Sequence, residues 1–177
     1  MVIFIHGATH SGKTATAQRI LEKYNYPYLS QDHIKMGLIR SGVTRLTPQD
    51  DEKMTEFLWP VIREIAKTAI ENRQNLVIEG CYFPPLWKQD FTDEYLKNIK
   101  YCAIILSEDY IRNNFDIIKA HACDIEKRLR DDDLSPENLI CENEKILSRR
   151  QTRGNRYFVI DDKTEYNIDN IRDYIFN

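Results

Sequence analysis

The feature that most constrains this chain is at its start. Val2-Ile3-Phe4-Ile5 is a short, continuous apolar run with β-branched residues, the pattern of a strand buried on both faces. It breaks at a glycine, and Gly7 to Thr14 then reads G-x-x-x-x-G-K-T. Directly after it, Ala15, Ala17, Ile20, Leu21 and Tyr24 fall near helical spacing over residues 13–24. A strand, a loop closed by two glycines and a helix in this order match the phosphate-binding loop. With glycine at about 7% of an average sequence, a chance match in a chain of this length is roughly one in a hundred or less.

The residue types explain the chemistry. Phosphate oxygens need several donors at once, and glycines at both ends let successive backbone N–H groups turn inward without side-chain clash. Gly7, Ala8, Thr9, His10, Ser11, Gly12, Lys13, Thr14 and Ala15 are therefore the candidate nucleotide-binding residues. The helix that starts in the loop aims its positive end at the same anion. Lys13 can reach the outer phosphates as a point charge, and the Thr14 hydroxyl can ligate Mg²⁺.

The rest of the chain reads as one α/β domain. Its 177 residues suit a single core. Further strands are expected at 26–30, 75–80, 101–107 and 156–162, and helices at 32–40, 46–74, 108–121, 136–151 and 167–176. Asp32 can cap the first of these helices. Thr47 is expected as N-cap of the second, with Pro48 at its first position and Asp50 and Asp51 at its positive end. Phe57, Leu58, Val61, Ile62, Ile65, Ala66, Ala69 and Ile70 form its apolar stripe, and Pro60 is expected to kink or split it. Five strands separated by helices suggest a three-layer domain. The stretch 108–155 is too long for a plain crossover, so a helical, lid-like elaboration is expected there.

Net charge is −3, which argues against a general nucleic-acid binder. No apolar stretch is long enough to span a bilayer, and the start lacks signal-peptide character, so a cytoplasmic protein with a small-molecule substrate is expected. Cys81, Cys102, Cys123 and Cys141 show no metal-ligand spacing and read as free thiols.

Four further features bear on chemistry. Asp32 follows the second strand by two residues, so it should stand near Lys13, where a carboxylate can orient an acceptor hydroxyl and take its proton; the alternative is a helix cap alone. Glu79 ends the third strand and can hold Mg²⁺ or substrate, with Gly80 leaving room; the alternative is a surface glutamate. Tyr82, Phe83 and Trp87 can wall a substrate pocket or pack in the core. Arg112, Arg128, Arg130, Arg149, Arg150 and Arg153 offer guanidinium groups for phosphoryl oxygens. Arg128 and Arg130 are the first choice for catalysis, with Asp131, Asp132 and Asp133 as counter-charges, and Arg153 for nucleotide binding. Lys35, Arg40 and Arg45 can bind an anionic substrate or be plain surface charge. His6, at a strand end, reads as structural.

A GTP switch usually carries N-K-x-D, absent here, and motor ATPases are usually longer. Gly7–Thr14, Asp32, the V-I-E-G strand and the arginine-bearing segment together resemble small P-loop kinases. "PYLSQDHIKMGLIRSG" with "LVIEGCYFPP" looks most similar to bacterial 2-phosphoglycerate kinase-like or zeta-toxin-like proteins, and more distantly to chloramphenicol phosphotransferase. That resemblance implies strand order 2-3-1-4-5, ATP with Mg²⁺, and an aspartate after strand two beside the acceptor hydroxyl. Carried onto this sequence, it implies roles for Lys13, Thr14 and Asp32, and for Arg128 and Arg130. Nucleoside-monophosphate kinases usually show Asp-Gly and Pro-Arg where this chain has E-G-C-Y-F-P-P. The expectation is an ATP- and Mg²⁺-dependent phosphotransferase acting on a hydroxyl of a small 2-phosphoglycerate- or sugar-like metabolite. The alternatives are a nucleoside or nucleotide kinase and a regulatory protein that only binds ATP.

Overall fold

The structure is a computed structural model that describes residues 1–121, 134–151, 154–163 and 167–177, without the side chains of 150 and 151. Five parallel strands form one sheet in the order β2-β3-β1-β4-β5: β1 Val2–Gly7, β2 Tyr28–Ser30, β3 Leu76–Gly80, β4 Ile99–Leu106 and β5 Tyr157–Ile160. This is the order that the kinase resemblance implies. The helices are α1 Lys13–Tyr24, α2 Gln31–Arg40, α3 Asp51–Glu71, α4 Asp93–Leu96, α5 Glu108–Ala120, α6 Pro136–Gln151 and α7 Ile168–Phe176.

Strand β1 organises the layers. All six of its residues are buried, and alternate side chains point to opposite faces. Ile3 and Ile5 join one cluster with Ala17 and Ile20 of α1, Ile111 of α5, Leu139 and Ile140 of α6, and Ile171 and Ile175 of α7. Val2 and Phe4 join another with Trp59, Ile62, Ala66 and Ala69 of α3 and a set of aromatic rings. Sheet plus helices on both faces gives the three layers expected.

Helix α3 departs from the sequence reading in three ways. Its N-cap is Asp50, not Thr47, so Pro48 stands outside the helix. The Asp50 carboxylate accepts from the Thr47 N–H and hydroxyl at 2.9 and 2.8 Å, and a local turn takes up the residues meant for the first helical turn. The helix runs unbroken through Pro60, which lies on the exposed face. There Phe57 and Val61 also stand exposed, while Met54 and Trp59 replace them in the buried stripe.

After β3 the chain crosses the sheet face through an irregular segment with a short 3₁₀ turn at Trp87–Asp90 and helix α4. Periodicity gave no sign of either, because each is only four residues long. Phe83 and Trp87, read as pocket wall or core, are core. Trp87 stacks on Tyr101 with centroids 5.3 Å apart and meets Phe4 edge-on at 5.4 Å, while its indole N–H donates to Asn155 Oδ1 at 3.2 Å. Pro84 and Pro85 stiffen the turn that lays these rings over β1.

Trp87→Ala removes a large buried ring and strands the Asn155 carbonyl, so we expect a loss of about 3–5 kcal/mol, read as a lower urea midpoint.

Candidate functional site

The loop Ala8–Gly12 leaves β1 at the middle of the sheet and leads into α1. A Cβ on Gly7 would stand 2.4 Å from Ser11 Oγ and 2.8 Å from the Ile104 carbonyl oxygen. The loop can fold back on the strand end only because that atom is missing. Gly12, with φ of 81°, takes the left-handed conformation at little cost; His10, with φ of 57°, takes it at a cost of about 1 kcal/mol or more. Only 8% of Lys13 is exposed. Its stem lies against the loop and its ammonium donates to the Ala8 carbonyl at 2.8 Å. The charge is thus already held at the loop.

Strand pairing levels the neighbouring tips. Glu79 is in register with Ile5 of β1 and Ser30 of β2, and Gly80 with His6. Glu79 is buried, which removes the reading of it as a surface glutamate. Gln31, the first residue of α2, is also buried. Its Oε1 accepts from the Tyr82 N–H at 2.8 Å, and a Cβ on Gly80 would come within 2.2 Å of that same oxygen. Gly80 therefore gives room to Gln31. Among the described residues, Ser11 Oγ, Ser30 Oγ and Gln31 Nε2 are buried without a hydrogen-bond partner. Such groups are rare in native interiors and mark places where a further ligand or water completes the set.

Asp32 lies in the first turn of α2 and is not its cap; Ser30 holds that position with extended backbone, so the expected capping role is corrected. The Asp32 side chain is 45% exposed, and its Oδ1 pairs with Lys35 Nζ at 2.8 Å. Lys35 Nζ also donates to the Tyr82 hydroxyl at 2.7 Å, which in turn donates to Asp51 Oδ1 at 3.1 Å. Cys81 lies among these groups. Burial pushes its thiol up to about 12, Lys13 and Lys35 draw it down, and Asp32 and Asp51 push it up. A thiol held protonated at neutral pH is a poor nucleophile, so Cys81 belongs to the wall. Burial, with Cys81, Asp51 and Asp32 adding to it, also pushes the Tyr82 phenol up.

The structure thus gathers Asp32, Lys35, Tyr82 and Glu79 at the edge where the loop begins. Arg40 ends α2 two turns further on, about 12 Å along the axis from Asp32. Arg112 is engaged by Glu108 and Glu137, at 2.9 and 3.5 Å, and bridges α5 to α6. Arg128, Arg130 and Arg153, with Asp131–Asp133 and Cys123, lie outside the described residues, as does the side chain of Arg150. Thr14 and Ala15 fall in the first turn of α1, half-buried. His6 is buried against Tyr101, Nδ1 to hydroxyl 2.9 Å, as its structural reading expected.

No group of three or more His, Cys, Asp or Glu able to hold a metal occurs among the described residues. Mg²⁺ does not need one, since it is usually held by one or two protein oxygens plus phosphate. The Thr14 hydroxyl and the Glu79 carboxylate are oxygen donors of the right hardness for it. No helix among the described residues is long and apolar enough to cross a membrane.

Sequence reasoning missed Gln31, Asp51 and Glu142. Gln31 was findable, because it joins the second strand to its helix beside Asp32. Asp51 was read only as a charge at a helix end. Glu142 of α6 accepts from the Thr9 N–H at 3.4 Å, held there by Asn143, whose Oδ1 accepts from the Leu106 N–H at 2.9 Å. A contact across 133 residues leaves no local signal.

No protein-family model matches this chain, and no curated protein does. Solved structures do. A shikimate kinase from Bacteroides thetaiotaomicron superposes with a TM-score of 0.54 at 16% identity, over 100% of this chain and 99% of its own. A gluconokinase from Sinorhizobium meliloti 1021 gives 0.52 at 15%, over 97% and 87%. A deoxyadenosine kinase from M. mycoides, with products bound, gives 0.53 at 15%, over 100% and 97%. At such identities the likeness is one of fold, which in this chain is a five-stranded parallel sheet in the order β2-β3-β1-β4-β5 with helices on both faces.

Gly80→Ala should cost about 1–3 kcal/mol by forcing Gln31 aside. In Gly37→Ala the new Cβ meets nothing within 4 Å, and an alanine replaces a glycine inside α2. That variant should gain about 0.4–1 kcal/mol. Paired urea melts check both signs.

Proposed function

We propose that this chain is an ATP- and Mg²⁺-dependent kinase that phosphorylates a hydroxyl of a small metabolite. The observation that carries it is the loop Gly7–Thr14, with Lys13 held at the Ala8 carbonyl and two carboxylates, Glu79 and Asp32, on the adjacent strand edge. Cytoplasmic location and a metabolite resembling 2-phosphoglycerate or a sugar belong to this proposal as well. The fold shared with kinases for shikimate, gluconate and deoxyadenosine supports it.

In this reading the chain binds and orients. The loop amides and the positive end of α1 meet the phosphates. Lys13 neutralises charge on the outer ones. Thr14 and Glu79 hold Mg²⁺, which supplies charge neutralisation at the transferring group. Asp32 orients the acceptor hydroxyl toward the terminal phosphorus and accepts its proton as the new P–O bond forms, while the bond from that phosphorus to the bridging oxygen breaks and ADP leaves with the electron pair. Arg128 and Arg130 are proposed to place positive charge on the oxygens of the transferring group, and Arg153 to bind the nucleotide.

A nucleoside acceptor is the second reading. The fold match to the deoxyadenosine kinase supports it, whereas the missing Asp-Gly-x-Pro-Arg pattern of nucleoside-monophosphate kinases counts against a nucleotide acceptor.

Asp32→Asn should bind MgATP within about twofold of wild type and lose roughly 10²–10⁴ in turnover. Lys13→Ala should lose MgATP affinity as well as turnover, because the cation and its bond to Ala8 go together. Calorimetry and a coupled ADP-release assay across neutral polyols, sugar phosphates, glycerates and nucleosides separate the effects. Undiminished turnover in Asp32→Asn would remove it from the mechanism.

A further inference from the structure

Lys35 and Tyr82 stand beside the proposed acceptor site, and as polar side chains there they read at first as substrate contacts. Their hydrogen bonds and their burial together point to another role. A phenol has one proton to give, and Tyr82 gives it to Asp51 Oδ1. Its oxygen is then left to accept, and it accepts from Lys35 Nζ. Lys35 spends a second proton on Asp32 Oδ1. The donors therefore run in one sense: Tyr82 to Asp51, and Lys35 to both Tyr82 and Asp32.

Exposure gives the same order. The Lys35 side chain is 13% exposed and Tyr82 is 2% exposed, whereas the Asp32 side chain is 45% exposed. Asp32 faces outward with Lys35 and Tyr82 behind it. The Lys35 ammonium also lies 5.0 Å from the centre of the Tyr82 ring. The ring packs with Met54 and Leu58 of α3, the helix that Asp51 begins. The raised phenol keeps its proton through the neutral range, so its bond to Asp51 persists there.

We infer that Lys35, Tyr82 and Asp51 form a positioning chain that fixes the Asp32 carboxylate against helix α3, and that they do not themselves contact the acceptor. The inference rests on the kinase reading for its consequence in turnover, but not for the chain itself. A carboxylate on an open helix turn has several rotamers, and only one aims at a given hydroxyl. One ammonium bond, backed by a buried ring, selects among them; a misplacement of about 1 Å can cost on the order of a hundredfold in rate.

The test uses the full chain with Lys35→Met, Lys35→Arg, Tyr82→Phe and the Lys35→Met/Tyr82→Phe double variant, each checked for folding by circular dichroism. The first readout needs no activity. The carboxyl-carbon NMR resonance of Asp32, assigned with Asp32→Asn, should shift in Lys35→Met and in Tyr82→Phe and move back in Lys35→Arg. The second is kinetic, with any acceptor the panel yields. Here kcat should fall on the order of tenfold in either single variant, with the acceptor KM within about twofold, and the double variant should be no worse than Lys35→Met. An unmoved Asp32 resonance overturns the chain. So does a large rise in acceptor KM at constant kcat, which would make Lys35 a substrate contact. If no acceptor is phosphorylated by wild type, the kinase reading fails and the resonance alone decides on the chain.

Discussion

The approach of Ser11 to Gly7 is the contact on which the rest of the site depends. With a Cβ at Gly7 the loop could not fold back on the end of β1, and Ser11 Oγ would stand 2.4 Å from it. The fold-back brings the Ala8 carbonyl to the Lys13 ammonium, 2.8 Å away, so the cation is positioned by the loop that it serves. It also starts α1 at Lys13, immediately after the left-handed Gly12, with the helix's positive end at the loop. The proposed phosphate site is thereby built from backbone, and backbone carries little entropy that a ligand must still remove.

A second close approach repeats the device one strand away. Gly80 lets Gln31 lie on the tip of β3, where its Oε1 holds the Tyr82 N–H. Gln31 ties the turn after β3 to the start of α2, and Asp32 is the next residue. The two glycines do different work. Gly7 shapes the loop, and Gly80 seats the side chain that locks the carboxylate-bearing helix beside it. Both lie at the carboxyl edge of the sheet, where parallel strands present their ends to a common crevice.

Electrostatics at this edge is mixed in sign. Lys13, Lys35, Asp32 and Asp51 all act on the buried Cys81 thiol, the lysines drawing its pKa down and the carboxylates pushing it up. Lys35 is the hinge of this arrangement, since it is the cation that touches both a half-exposed carboxylate and a buried phenol. By contrast, the ion pairs of Arg112 with Glu108 and Glu137 sit in solvent, where pairs of this kind contribute little to stability. The Arg112–Glu137 pair joins α5 to α6.

The sequence by itself determined the parts that are local. An unbroken apolar run, two glycines at fixed spacing and a helical pattern specify strand, loop and helix, because each follows from backbone sterics and burial over a few residues. The positions of β1 to β5 and the ends of α1 and α2 were legible for that reason. Asp32 and Glu79 were legible as candidates because parallel strands bring their carboxyl ends to one edge. Only the tertiary structure decided what lies behind them. It buried Lys13 and Glu79, moved Phe83 and Trp87 into the core, turned Phe57 and Val61 outward, left Arg40 at the far end of its helix, and joined Asp51 to Lys35 through Tyr82. Those outcomes depend on which surfaces meet across tens of residues, and no periodicity of 2 or 3.6 records that.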